Sequence, residues 1–109
     1  MTIPNHPFEI INWDNVPKEI HAGDSGTAHW QILQVGDIRV RMVEYSRAYV
    51  ADHWCSKGHI IFCIYSEMET TLQDGRKMLL KKGMSYHVGD KNESHRTASK
   101  EGCKLFIVD

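Results

Sequence analysis

From Ala28 almost to its end, the chain is a succession of short strand-like runs broken by glycine and aspartate. His29 to Val35 and Ile38 to Tyr45 flank Gly36-Asp37, the two-residue signal of a tight hairpin. Within the second run Ile38, Val40 and Met42 alternate with Arg39 and Arg41. That period of two predicts a half-buried strand with its arginines on a solvated face. The alternative is a pocket for an anionic ligand lined by Arg39, Arg41 and Tyr45. Further strands are expected at His59 to Ser66, Glu67 to Leu72, Arg76 to Leu80, Met84 to Val88 and Cys103 to Val108. Gly89 to Glu93 is a polar loop leading to His95. No window repeats its apolar residues with helical spacing for more than a turn or two, so helix should be scarce. Many short strands between Gly/Asp turns predict an all-β fold, a sandwich or a closed barrel.

Two stretches depart from simple alternation. Ile60 to Tyr65 is apolar on both faces, whereas a strand bordering water on one side should alternate with polar residues. A barrel interior covers one face, so an arm or a second subunit must cover the other, and a homodimer is expected. Residues 1–27 hold all three prolines and little periodicity. They are expected to form an irregular N-terminal arm with one short strand around Phe8 to Trp13, and residues 28–109 to form the barrel domain. Phe8, Ile10, Ile11 and Trp13 supply apolar surface with which the arm can dock, on its own barrel or on a partner.

Composition narrows the function classes. At 109 residues the chain supports one domain with a modest core. Thirteen Lys and Arg against fourteen Asp and Glu, without clustering, predict neither nucleic acid nor a membrane surface as partner. No apolar run approaches the roughly 20 residues of a membrane span. The opening Met1-Thr2-Ile3-Pro4-Asn5-His6-Pro7 lacks the basic-then-apolar pattern of a secretory signal. Cys55, Cys63 and Cys103 follow no disulfide-scaffold spacing, so a reducing cytoplasm is expected.

The chemistry concentrates in Ala51-Asp52-His53-Trp54-Cys55-Ser56-Lys57-Gly58-His59. Three good transition-metal ligands fall within seven residues. In an extended strand His53 and Cys55 share a face and Trp54 points to the other. Ser56-Lys57-Gly58 reads as a turn that returns His59 to the same pocket. This predicts half of a metal site. Asp52 is placed to orient a ligand imidazole, or is a plain turn acid. Cys63 lies roughly 13 Å along the strand from His59, too far for the same metal, and reads as core. Only one of Tyr86 and His87 can face the pocket, and alternation alone does not choose. His6, His21 and His29 read as surface or arm residues.

At these residues the chain resembles the cupin superfamily, over a span from about Ile38 to Asp109. In the first cupin motif His53 matches the first histidine, Cys55 the second, His59 the glutamate and Ser66 the glycine. Gly83, the strand to Val88, Gly89 and His95 follow the second motif, with His95 one residue beyond the usual spacing. Asp52-His53-Trp54-Cys55 is similar, more narrowly, to the small DHCW-motif cupins. The resemblance implies a single-domain jelly-roll β-barrel, frequent dimers, and a metal at the barrel mouth held by His53, Cys55, His59 and His95. Two of these positions differ from the usual three histidines and one glutamate, each by another ligand type. Three imidazoles and a thiolate suit a divalent transition metal, zinc first, with iron, nickel or copper as the others. Three readings follow: a metal-dependent enzyme of dioxygenase, isomerase or hydrolase type, a module binding a small polar or anionic molecule, or a metal that staples strands. No general base accompanies the ligands, so the expectation is a small metal-binding cupin with its activity open.

Overall fold

The hairpin at Gly36-Asp37 is present in the computed structural model, which describes residues 2–109. Strands β2 (Thr27–Val35) and β3 (Ile38–Tyr45) pair antiparallel, with Ala28 opposite Tyr45 and Val35 opposite Ile38. Gly36 turns with φ +60, and a β-carbon there would stand 2.3 Å from Pro4 Cγ of the arm. The turn therefore needs glycine for conformation and for space.

Strand β9 (Cys103–Val108) lies between β3 and the first half of β5 (His59–Leu72). That half of β5 also pairs β7 (Ser85–Val88) through His59 opposite Val88 and Ile61 opposite Tyr86. The second half pairs β6 (Lys77–Lys81) and β8 (His95–Ser99), and β8 pairs the short β4 (Tyr49–Val50). The antiparallel sheet thus curls into a half-barrel of jelly-roll form, with β5 passing from one face to the other. The two runs expected at His59–Ser66 and Glu67–Leu72 are this one bent strand.

The bend has a local cause. Pairing with β9 slips between Cys63 and Tyr65, and Ser66 adopts φ +62. A bulge lets one strand change direction without losing its partners. Ser66 holds the left-handed conformation that the glycine of the motif would adopt freely, at a cost of about 1–2 kcal/mol for an L-residue.

The core gathers at the bend: Val43, Ile61, Cys63, Met68, Leu80, Cys103, Leu105 and Ile107. Cys63 and Leu105 are fully buried. Burying side chains such as Val43, Met68 and Leu105 stabilises the fold by about 1.5–3 kcal/mol each. Cys63 is core, as its distance along the strand predicts.

Four expectations are corrected. No strand forms at Phe8 to Trp13; the arm instead has a short 3-10 helix, Trp13–Asn15, and strand β1, Glu19–Ala22, which pairs β2. Proline and turn residues in the arm leave few consecutive donors for a ladder. Strand β8 was not anticipated, because its buried residues are His95, Thr97 and Ser99, which carry no apolar signal. Residues 51–58 are irregular rather than a strand and turn, and only Cys55 makes a bridge, to His95. Finally, Arg41 is not on a solvated face: it is 5 % exposed. The apolar residues Val40 and Leu33 lie on the outer side of the sheet with Ile11, Trp13 and Phe106, so the opposite row, Arg41 with Val43, faces the interior.

The arm docks in part on its own barrel. Gln31, 8 % exposed, donates its amide to the carbonyls of Trp13 at 2.6 Å and Val16 at 2.8 Å. Trp13 meets Phe106 edge-on at 6.4 Å. Phe8 and Ile10 stay exposed, and so do Ile60 and Phe62 on β5. No helix among the described residues is long and apolar enough to cross a membrane.

Candidate metal centre

Three of the four expected ligands converge. One donor atom each from Cys55, His59 and His95 lies within 4.8 Å of the others. His59 opens β5 and His95 opens β8, so two strand starts bring imidazoles together from distant segments. Cys55 is fixed by its backbone, which exchanges two hydrogen bonds with His95: Cys55 N to His95 O at 2.7 Å and His95 N to Cys55 O at 2.9 Å. The loop before His59 is held from the other side. Gly58 donates to Asp90 Oδ1 at 2.7 Å, and Lys91 donates to the Ser56 carbonyl at 2.8 Å. A β-carbon on Gly58 would meet Asp90 N at 2.6 Å. Only glycine permits that approach.

The orientation of the two imidazoles is set by their far nitrogens. His95 Nδ1 lies 3.0 Å from the Glu93 carbonyl, an acceptor only, so Nδ1 carries the proton. His59 Nδ1 lies 3.4 Å from the Asp109 carboxylate, which likewise calls for a donor. Both Nε2 atoms then present lone pairs, and they face each other at 2.8 Å. Two lone pairs at that distance repel unless a proton or a cation lies between them. A histidine that donates one nitrogen to a carbonyl or carboxylate and turns the other inward has the arrangement of a metal-ligating imidazole. The donor set present fits the group that the fold implies.

Charge at Cys55 favours the same reading. The contact with His95 lowers the thiol pKa against the opposing effect of burial, and the backbone of Lys57 and the charge of His95 add to that. Reciprocally, the contact with Cys55 raises His95 against burial. A thiol so placed gives up its proton more easily, and the thiolate is the form that binds metal.

His53 is placed differently. Its side chain is 69 % exposed and its Nδ1 lies 2.6 Å from Asp52 Oδ1. It lines the same cavity at the mouth but stands outside the group formed by Cys55, His59 and His95. Because residues 51–58 are irregular, the parity that would align His53 with Cys55 does not hold. Asp52 touches His53, as an orienting acceptor would. Trp54 is 42 % exposed. Of the pair left open by alternation, Tyr86 lines the cavity and His87 does not.

The cavity, about 130 Å³, is also lined by Arg39, Arg41, Tyr45 and Asp109. Asp109 was not anticipated, yet it orders this wall. Its fully buried carboxylate accepts from Arg39 Nε at 2.9 Å and Arg41 Nη2 at 2.7 Å, besides its contact with His59. Burial alone would raise this carboxyl; the hydrogen bonds of His59 and Arg39 and the charges of both arginines overcome it and hold it well below the usual carboxylate range. A signal existed: Cys103, Leu105 and Ile107 face inward, and the same parity carries to Asp109. Arg41 also stacks on Trp30, 4.7 Å from the ring centre, and its Nε is buried without a partner among the described residues. Tyr45 and Tyr49, which line the same cavity, stack at 4.1 Å, and burial pushes both phenols up.

No family model matches the chain, and no curated protein does. Solved structures do. The chain is similar to an RmlC-like cupin from Shewanella frigidimarina NCIMB 400, with 17% identity, TM-score 0.70, and 94% of this chain and 89% of that one covered. It is similar to ectoine synthase from P. lautus, with 15% identity, TM-score 0.72, and coverage of 93% and 76%. A third is Fe(II)-HppE crystallised with an alternative substrate, with 14% identity, TM-score 0.76, and coverage of 94% and 60%. The fold of this chain is the one these solved structures have, cupins among them, as the resemblance in the motifs implies.

Proposed function

We propose that this chain is a small metal-binding cupin that holds a divalent transition metal on Cys55, His59 and His95, with His53 as a fourth donor from the cavity mouth. The observation that carries this reading is the 2.8 Å approach of two imidazole Nε2 atoms whose Nδ1 atoms are both committed to acceptors. Nitrogen and sulfur donors favour zinc; iron, which the HppE structure carries, nickel and copper remain compatible. A metal bound there supplies Lewis-acid polarisation of a ligand oxygen. The chain itself supplies the rest. Arg39 and Arg41 against the single carboxylate of Asp109 leave one positive charge on the cavity wall. That excess, with the unpartnered Arg41 Nε, favours a small polar or anionic ligand. A cytoplasmic setting and a homodimer complete the proposal, the latter supported by the bare row of Ile60 and Phe62.

The test is elemental analysis of protein purified without added metal and after loading with zinc, iron, nickel or copper. About one metal per chain is expected, lost in His59→Ala and His95→Ala and weakened in Cys55→Ser. His53→Ala should weaken retention less, because its ring is exposed. Protons compete for the same donors, so retention should fall as the pH is lowered. A chain that takes up none of these metals, or binds them equally well without His59 and His95, would overturn the proposal.

A further inference from the structure

Tyr86 and His95 form a partition. On one side lies the cavity of Cys55 and the arginines; on the other lies a second cavity of about 330 Å³, which the same two side chains also line. Its origin is the bend in β5. Strand β7 follows β5 before the bulge and β6 follows it after, so the two splay apart and leave a gap in the barrel wall. The gap is lined chiefly by apolar groups, among them Met78, Leu80, Met84 and Val88. At its rim Met78 and Met84 are 45% and 46% exposed.

The polar groups within the gap are incompletely bonded. Thr70, 4% exposed, lines this cavity, and its Oγ1 has no hydrogen-bond partner among the described residues. The Tyr86 hydroxyl is likewise buried without one at hydrogen-bond geometry, its neighbour in the recess being the Thr70 hydroxyl itself. A buried hydroxyl left unpaired costs about 1–3 kcal/mol, so two in one apolar recess mark a place where a guest can supply the missing bonds. The volume falls at the small end of the roughly 300–1,000 Å³ typical of small-molecule sites. Apolar walls with a few convergent polar groups are the usual chemistry of such sites.

We propose that this gap binds a small, largely apolar molecule carrying one hydroxyl or carbonyl group. The polar end bonds Thr70 and Tyr86 beside His95, and the apolar body lies among Met78, Leu80, Met84 and Val88. Contact of that polar end with a metal rests on the metal-centre reading; binding of the apolar body does not.

The test uses isotope-labelled protein, both chelator-treated and zinc-loaded, titrated with 4-methylphenol and with toluene as its counterpart lacking the hydroxyl. Saturable shifts are expected at the amides of β6 and β7, with 4-methylphenol bound more tightly than toluene. Met84→Glu, with a charge at the rim, should weaken both at least tenfold, and Met78→Glu provides a second variant should the first fold poorly. Thr70→Val should narrow the preference for 4-methylphenol several-fold and leave toluene unchanged. Absence of saturable shifts, indifference to both rim charges, or a preference unmoved by Thr70→Val would overturn the proposal. Shifts that track protein concentration rather than probe would also overturn it, by showing that a second copy covers the gap. Binding that persists in chelated protein that takes up no metal would sustain this inference while sinking the metal centre.

Discussion

Asp109 shows how one side chain serves both stability and site. Its carboxylate offsets two arginines and aims the His59 ring. Removing one partner of a buried ion pair costs about 3–5 kcal/mol, because the remaining charges stay buried without it. Asp109→Asn is therefore expected to destabilise the fold by about 3 kcal/mol, read as a lower midpoint in denaturant at neutral pH. The sign of the pH effect follows from the direction of the shift. A carboxyl held low in the folded state contributes stability above its unfolded value, about 3.9, and loses it as the pH falls through the folded one. Wild type should thus lose stability more steeply than Asp109→Asn below about pH 4. Parallel acid titrations of the two proteins would refute the buried cluster.

Among the elements, legibility followed polarity. β2, β3, β7 and β9 stand close to where alternation and turns place them, as does β5 apart from its continuity. β8 was hidden because its inward row, His95, Thr97 and Ser99, is polar. Arg41 was misread for the converse reason: Ile38, Val40 and Met42 do share a face, but arm residues such as Ile11 and Trp13 lie over that face, and the interior receives the arginine. His59 and His95 were legible from motif spacing, whereas Asp109 lay in a row whose other members are apolar. The arm makes a prediction at this scale. Among the described residues Gln31 alone ties the Trp13 and Val16 carbonyls to β2, so Gln31→Leu should free the arm at a cost of about 1–3 kcal/mol. Hydrogen exchange at Asn15 and Val16 should accelerate, because their amides close the 3-10 turn. Unchanged exchange there would show that Trp13 against Phe106 suffices.

At the scale of the whole molecule, one outer face is bare. Ile60, Phe62 and Tyr65 are exposed on β5, and Phe8 and Ile10 are exposed on the arm. Apolar patches of this kind mark association surfaces. Phe62→Lys is expected to shift a dimer to monomer in sedimentation equilibrium, with the hydrogen-bonded site unaltered. A wild-type chain that sediments as a monomer at micromolar concentration would remove the homodimer from the proposal.

The position of β9 has a consequence in time. It follows the other eight strands along the chain yet lies in the middle of the sheet, between β3 and β5. Those two strands must wait, unzipped, for a neighbour from far along the polypeptide, and closing such long loops before any reward slows the search. Folding is therefore expected in milliseconds to seconds rather than microseconds. During that interval β3 and β5 offer raw edges, and crowded nascent chains would cross-pair through them.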